Sequence, residues 1–272
     1  MGSALKRISL VGVGLLAGIS LLITPSQAQE PRSLIKEIQQ RGELRVGYAL
    51  APGHSVKDSV TNQWRGIAVE IMEDWARELN VKHVAVDGSW DTMIAGLQAR
   101  KYDVAAALNR RPPRALVVTF SMPYKFDTGV FALTREKVKA LSWAELDAPG
   151  VKIAVTMGSG ADKSLTRVAK KIQLIRFPDE NEARMAVLAG RVDGFFTDGM
   201  SNALFAKENK SVRLLVPELP IQLEGNAYGI RKGYSYDDIQ ALDIEIESFI
   251  NTGRIQLLLE KYGVPDFNLY TK

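Results

Sequence analysis

Short apolar runs alternate with amphipathic segments along most of the chain, and this alternation restricts its fold more than any other feature. The runs are rich in Val, Ile, Phe and Ala, as in buried strands, whereas the segments between them repeat apolar residues at helical spacing. The clearest helix carries Ile67, Ile71, Trp75 and Leu79 on one face. We therefore predict an α/β fold with largely parallel sheets. The predicted strands are 44–48, 81–86, 104–108, 129–134, 152–156, 173–177, 194–197 and 227–231, and further helices are predicted at 90–99, 161–169, 180–189, 201–208 and 236–251.

One unit of helix, turn and buried strand occurs twice. Its copies are ARKYDV at residues 99–104 and AGRVDG at residues 189–194. A spacing of about 90 residues fits two similarly built lobes better than a short solenoid repeat. In open parallel sheets, ligands bind beyond the carboxyl ends of the strands. The residues that follow strands 104–108 and 194–197 are therefore the first candidates for a functional site.

Charged residues of opposite sign follow these two strands. Asn109 and Arg114 come after the first strand, and Asp198 comes after the second. An arginine can hold a carboxylate through two parallel N–H donors, and an aspartate can accept from an ammonium group, so the pair would suit a zwitterion. Each residue also has a simpler interpretation, with Arg114 as a solvated loop residue and Asp198 as the N-cap of the next helix.

Two further segments are candidates for the same site. Trp90 opens a predicted helix and offers an apolar wall, and the turn MGSG at residues 157–160, which contains Ser159 and Gly160, precedes another helix. Backbone N–H groups at such a turn can bind an anion. The simpler alternatives are core packing for Trp90, capping for Ser159 and a favourable helix-dipole charge for Asp162. The turn lacks the third glycine of a dinucleotide-binding motif.

Composition argues against several classes of protein. The chain contains only two histidines, His54 and His83, and no cysteine, so we predict no metal site, no cofactor and no catalytic residues. The formal net charge of +4 is small, and basic residues do not cluster with aromatic ones, so we predict no binding to nucleic acid.

The N-terminus has the pattern of a secretory signal peptide. Lys6 and Arg7 precede an apolar run over residues 8–23, and small residues Ser26 and Ala28 follow it. We place cleavage after Ala28 and predict a soluble periplasmic protein, because no later apolar stretch is long enough to span a membrane. Retention as an N-terminal anchor is the alternative. A lipid anchor would require a cysteine, which the chain lacks.

The ordered series of motifs resembles family 3 of the bacterial extracellular solute-binding proteins, which includes receptors for polar amino acids. The resemblance extends over nearly all of the chain after the signal peptide. No single motif is specific, but their order is. The motifs are LRVG at 44–47, WRGI at 64–67, WDTMIAGL at 90–97, YDV at 102–104, Arg114 followed by FSMPY at 120–124, and GRVD at 190–193 leading to Asp198.

The resemblance implies a periplasmic binding protein-like fold of type II, in which two α/β lobes are joined by two hinge strands. Lobe 1 would comprise residues 29–126 and 226–272, and lobe 2 residues 127–225, with hinges near 125–130 and 224–228. It also implies that Arg114 binds a ligand carboxylate, Asp198 an amino group, and Trp90 the apolar part. Asn109, Ser159 and Gly160 complete the predicted site, although Asn109, Arg111 and Gly160 depart from the residues common in the family.

The expected function is therefore capture of a small polar ligand, most simply an amino acid, and its delivery to the permease of an ABC transporter by a monomeric, non-enzymatic protein. Two alternatives remain open at this point. Cyclohexadienyl dehydratases share the scaffold and eliminate water from prephenate or arogenate, for which Asp162 is the only acid that the sequence suggests. The protein can also be a ligand-sensing partner of a signalling receptor. The identity of the ligand stays open.

Overall fold

A computed structural model describes residues 32–264. The predicted signal peptide lies outside the described residues. The helices are α1 Leu34–Arg41, α2 Ile67–Glu78, α3 Met93–Gln98, α4 Pro112–Ala115, α5 Trp143–Leu146, α6 Gly160–Val168, α7 Glu180–Leu188, α8 Gly199–Glu208, α9 Tyr236–Asn251 and α10 Arg254–Lys261. The strands are β1 Glu43–Tyr48, β2 Val56–Lys57, β3 Trp64–Arg65, β4 Lys82–Asp87, β5 Val104–Asn109, β6 Val118–Phe120, β7 Lys125–Thr134, β8 Lys152–Thr156, β9 Gln173–Phe177, β10 Gly194–Asp198, β11 Val212–Leu215 and β12 Leu223–Arg231.

The α/β alternation predicted from the sequence is confirmed. Every predicted strand and helix is present, with ends that differ by a few residues. The predicted helix at 90–99 begins later, at Met93, because residues 88–92 form a turn. The short elements α1, α4, α5, α10, β2, β3, β6 and β11 were not predicted, because most of them are too short to show a period.

The main sheet has the strand order β4-β1-β5-β12-β7-β10-β8-β9. Strand β1 pairs in parallel with β4 and β5 at one end of the sheet, and β8 pairs in parallel with β9 and β10 at the other. The expectation of largely parallel sheets is correct for these two groups only. The central strands β7 and β12 are antiparallel to each other and to their outer neighbours. Their antiparallel pairing joins the two parallel groups into one sheet.

In each parallel group, the sequence repeat forms the same pair of hydrogen bonds to the adjacent strand. The N–H of Asp103 donates to the carbonyl of Arg45 at 2.8 Å, and the N–H of Asp193 donates to that of Lys152 at 2.7 Å. Each carboxylate accepts the N–H of the same neighbour in return, at 3.0 Å for Arg45 and 2.7 Å for Lys152. Both aspartates are buried, and each therefore ties the start of its own strand to the adjacent parallel strand.

The turn before each aspartate also has the same backbone conformation. Arg100 has a φ of 59° and Gly190 a φ of 68°, both in the left-handed region that favours glycine. A side chain at position 190 would contact nothing within 4 Å, so the preference there is purely conformational. Position 100 therefore carries a local backbone strain that the equivalent position 190 avoids.

We expect Arg100→Gly to stabilise the protein by about 0.5–1 kcal/mol, because relief of the left-handed strain exceeds the added entropy of the unfolded chain. Gly190→Ala should destabilise it by about 1 kcal/mol for the opposite reason. Urea denaturation measures both changes. Lys101→Gly is the matched control, since Lys101 has an ordinary φ and should lose stability. Destabilisation by Arg100→Gly equal to that of the control would contradict the argument.

Separate apolar clusters fill the two ends of the sheet. The largest packs α2 and α9 against β1 through residues that include Ile71, Trp75, Ile246 and Phe249. Smaller clusters around Phe131 and Phe195 lie at the end that contains β8 and β10. Over residues 32–264, no helix is both long enough and apolar enough to cross a membrane.

Candidate functional site

A cavity lies where the carboxyl ends of the two parallel groups face each other. Most of its walls come from residues at or just after the carboxyl ends of strands, which agrees with the position of ligands in open α/β sheets. Five of the six predicted site residues line it, and Arg114 does not. The lining residues are Ala51, His54, Trp90, Ala107, Asn109, Ser159, Gly160, Ala161, Glu180, Thr197, Asp198, Gln222 and Asn226.

Asp198 provides a carboxylate at the end of β10. Its Oδ1 accepts the N–H of Ser201 at 2.8 Å and so caps α8, as the simpler interpretation of the sequence proposed. The same side chain lines the cavity, so capping and exposure to the cavity coexist. Burial raises the pKa of Asp198, and the nearby charge of Asp127 raises it further. A cationic group entering the cavity would relieve both effects.

Glu180 is a second acid of the cavity, and the sequence analysis missed it. It follows β9 directly and begins α7. Burial raises the pKa of Glu180 to about 8, although the charge of Arg184 opposes the shift. The raised pKa favours the protonated form, while the two carboxyl oxygens accept from Thr197 and Arg184. Inspection of the carboxyl end of β9, by the rule applied to β5 and β10, would have found it.

His54 is the other missed residue, and it follows β1 in the loop of residues 49–55. Its side chain is only 2% exposed. The Nδ1 atom lies 2.7 Å from the hydroxyl oxygen of Tyr124, and Nε2 lies 3.6 Å from Oδ2 of Asp127 and 3.8 Å from Oδ1 of Asp198. No sequence pattern indicated this cluster, because its members are far apart in the chain.

The start of α6 offers hydrogen-bond donors to the cavity, in contrast to the acidic groups of Asp198 and Glu180. Ser159 is the N-cap, and its hydroxyl accepts the N–H of Asp162 at 3.1 Å. The N–H groups of Gly160 and Ala161, both lining residues, have no acceptor within residues 32–264. Unpaired N–H groups at a helix N-terminus attract anions. Asp162 instead accepts from Gly158, Thr166 and Arg176, which gives it a structural role.

Asn109 and Trp90 complete the wall that β1 and β5 provide. Asn109 ends β5, and its Nδ2 donates to Oδ1 of Asn226 on β12 at 2.9 Å. Trp90 is half-buried, and its indole N–H donates to the carbonyl of Leu50 at 3.3 Å. The ring also packs against two apolar clusters. Trp90 therefore has both of the roles considered from the sequence, as part of the core and as a wall of the cavity.

Arg114 lies beside the cavity, in a neighbouring groove that it shares with Trp90 and Gly158. Its guanidinium donates to the carbonyls of Asn109 and Gly158, at 3.2 Å in each case. Burial lowers the pKa of Arg114 to about 10, so the group stays charged at neutral pH. In this arrangement these donors are directed at backbone carbonyls rather than into the cavity that Asp198 lines.

Arg111 makes the contact with α6 that the sequence did not suggest. It donates to the carbonyl of Gly160 at 2.9 Å and pairs with Glu224 at 3.2 Å. A further contact across the cavity joins Gly158 to Asp91: a Cβ at Gly158 would lie 2.6 Å from the Cα of Asp91, and Gly158 has a φ of +75°. Only glycine suits this position, and the two sides of the cavity meet closely here.

The sequence profile of the bacterial extracellular solute-binding proteins, family 3, matches residues 44–265. The chain belongs to this family. Members of the family are extracellular or periplasmic, and a solute-binding role follows for this chain. Its match begins at β1 and extends over every strand of the main sheet.

Three similar proteins show how far the likeness extends. The L-cystine-binding protein TcyJ of Escherichia coli K12 is 24% identical, with 95% of this chain and 96% of that protein covered. Cyclohexadienyl dehydratase of Pseudomonas aeruginosa is 26% identical over 78% of this chain and 80% of that enzyme. An amino acid ABC transporter substrate-binding protein of Streptococcus pneumoniae, solved with L-arginine, is 25% identical, with a TM-score of 0.78 and coverage of 85% and 98%. The predicted type II periplasmic binding protein fold is confirmed.

Proposed function

We propose that this solute-binding protein captures an amino acid in the cavity lined by Asp198 and Gly160 and delivers it to an ABC transporter permease. The observation that carries the proposal is the opposed chemistry of the cavity walls. Asp198 offers a carboxylate to an ammonium group, while Gly160 and Ala161 offer free N–H groups to a carboxylate. The amino-acid-binding relatives support this assignment. The chain would be exported by its signal peptide, residues 1–28, and act as a monomer.

The energetics require more than these polar contacts. A charge-assisted hydrogen bond contributes about 1.5–3 kcal/mol net, whereas micromolar affinity corresponds to about 8 kcal/mol. The remainder would come from apolar contact with Trp90 and from closure of two lobes over the ligand. We propose lobes of residues 29–126 with 226–272 and of residues 127–225, hinged where β7 pairs with β12 at residues 125–128 and 223–226.

The role that we propose for Arg114 differs from the one that the family resemblance implies. Direct binding of a carboxylate, as the resemblance implies, requires its guanidinium to leave the carbonyls of Asn109 and Gly158. In the arrangement seen here, it joins the end of β5 to the turn before α6. We therefore propose that Gly160 and Ala161 bind the carboxylate and that the positive charge of Arg114 supports them.

A calorimetric and thermal-shift screen of the purified protein tests the function. The panel contains the common L-amino acids and L-cystine, in buffer with EDTA. We expect at least one to bind with a Kd in the micromolar range or below and to raise the melting temperature by mass action. For the best ligand, the N-acetyl derivative and the methyl ester should each bind at least tenfold more weakly. Equal binding of both derivatives would exclude recognition of a zwitterion, and no response across the panel would exclude an amino acid ligand.

One observation favours a second candidate, a dehydratase. Burial raises the pKa of Glu180 and so favours its protonated form inside the cavity, which a general acid for loss of hydroxide needs. One relative is named cyclohexadienyl dehydratase. Incubation with prephenate, followed by the absorbance of phenylpyruvate, decides between the two. If the wild type forms phenylpyruvate and Glu180→Gln does not, the dehydratase assignment replaces the transport assignment. If the wild type forms no phenylpyruvate, the dehydratase assignment is excluded.

A further inference from the structure

The cluster of His54, Asp127 and Asp198 has the composition and geometry of a metal site. One ligand atom from each residue lies within 4.8 Å of the others. The His54 Nε2 atom is 3.6 Å from Oδ2 of Asp127 and 3.8 Å from Oδ1 of Asp198, too far for hydrogen bonds. A position shared by the three atoms would lie about 2 Å from each, the length of zinc–nitrogen and zinc–oxygen bonds.

Two of these atoms have no other partner. His54 is 2% exposed and Asp127 is 6% exposed. Neither Nε2 of His54 nor Oδ2 of Asp127 has a hydrogen-bond partner within the described residues. Buried polar atoms are normally satisfied, and two unpaired atoms that face the same point are suited to hold a cation between them. A divalent cation would also balance the two carboxylate charges, which are costly to bury without a partner.

The other atoms of the three side chains are held in place. The Nδ1 atom of His54 lies 2.7 Å from the hydroxyl oxygen of Tyr124, and donation from Nδ1 to that oxygen leaves the lone pair of Nε2 free. Oδ1 of Asp127 accepts from the N–H groups of Thr128 and Gly199, at 2.8 and 3.2 Å. Asp198 is oriented by the N–H of Ser201. Such outer contacts fix the orientation of the first ligands in metal sites.

We propose that His54, Asp127 and Asp198 bind one divalent transition-metal ion of the zinc class. An imidazole ligand favours zinc and its neighbours over magnesium and calcium, which prefer oxygen ligands alone. Three protein ligands leave a coordination position free. Because His54 and Asp198 also line the candidate cavity, that position is next to the space proposed for the amino acid. The sequence analysis predicted no metal site because the chain has only two histidines and no cysteine, and carboxylate ligands so far apart in the chain form no motif.

Zinc titration of the purified protein, stripped with EDTA and followed by calorimetry without any amino acid, tests the site. We expect one Zn²⁺ per chain with a Kd in the micromolar range or below. His54→Gln and Asp127→Asn should each weaken zinc binding at least tenfold. Asp127→Asn keeps Oδ1 for the two backbone N–H groups, so the fold should be retained. His83→Gln is the matched control, since His83 is the only other histidine and should leave zinc affinity unchanged.

Cobalt(II) gives an independent readout, because visible absorption bands of the bound ion should appear with the wild type and vanish with Asp127→Asn. Absence of stoichiometric zinc binding, unchanged affinity in both site variants, or loss of binding in His83→Gln would each overturn the proposal. Failure of the metal-site proposal can be distinguished from failure of the proposed amino-acid-binding function. Asp127 does not line the amino-acid cavity, and the amino-acid screen is carried out in EDTA.

Discussion

Asp198→Asn is expected to weaken binding of the best amino acid in the screen by 10- to 100-fold, the largest effect on function that we predict. The substitution removes the charge that accepts the ligand ammonium, a contact of about 1.5–3 kcal/mol. Asparagine is as good an N-cap as aspartate, so α8 and the hydrogen bond to Ser201 should persist. Calorimetry in EDTA measures the affinity, and circular dichroism checks that the helix content is unchanged.

Asp179→Asn is the matched control for this experiment. Asp179 caps α7 in the same manner, with its Oδ1 accepting the N–H of Glu182 at 3.0 Å, but it does not line the cavity. The control should bind the ligand like the wild type. An affinity of Asp198→Asn within twofold of the wild type, or an equal loss in both variants, would show that the carboxylate does not contact the ligand.

Asp103→Ala is expected to have the largest effect on stability, a loss of about 3 kcal/mol in the free energy of unfolding, as for other broken buried ion pairs. Asp103 is 1% exposed. Its carboxylate pairs with the guanidinium groups of Arg41 and Arg45 and accepts the N–H of Arg45. The substitution leaves that N–H without a partner and two positive charges close together. Denaturation in urea gives the change directly.

Asp193→Ala should have an effect of similar size, because Asp193 accepts the N–H of Lys152 in the equivalent position and pairs with Lys137 at 2.6 Å. Glu247→Ala is the control. Glu247 is exposed on α9, and its removal should change the stability by less than about 0.5 kcal/mol. If Asp103→Ala and Asp193→Ala resemble the control, the repeated aspartates have no structural role and the repeat is a coincidence of sequence.

Local patterns were sufficient for the elements of the fold. The run 152–156 coincides with the strand observed, because burial on both faces leaves a nearly continuous apolar signal in the sequence. The repeat ending in Asp103 and Asp193 was also visible, since it depends on a turn and a strand that are adjacent in the chain. The antiparallel pairing of β7 and β12 could not be predicted, because an apolar run in the sequence carries no information about the direction of the strand that pairs with it.

The candidate site was likewise predicted from the sequence only in part. The rule that ligands lie beyond the carboxyl ends of parallel strands selected Asn109 and Asp198, which the structure places in one cavity. Arg114 was selected by the same rule and lies outside that cavity, because its donors reach the carbonyls of Asn109 and Gly158. The direction of a long side chain depends on the acceptors that surround it, and one of these, the carbonyl of Gly158, comes from a distant part of the chain.

The sequence by itself determined the α/β class, the helices and strands, the family motifs and the strand ends at which a ligand would be sought. These features depend on side-chain periodicity and on residues close together in the chain. Only the tertiary structure brought His54 and Glu180 into the cavity with Asp198 and directed Arg114 away from it. Burial and the proximity of charges from separate strands decide both the protonation of Glu180 and the unpaired atoms around His54, and neither can be read from residues in order.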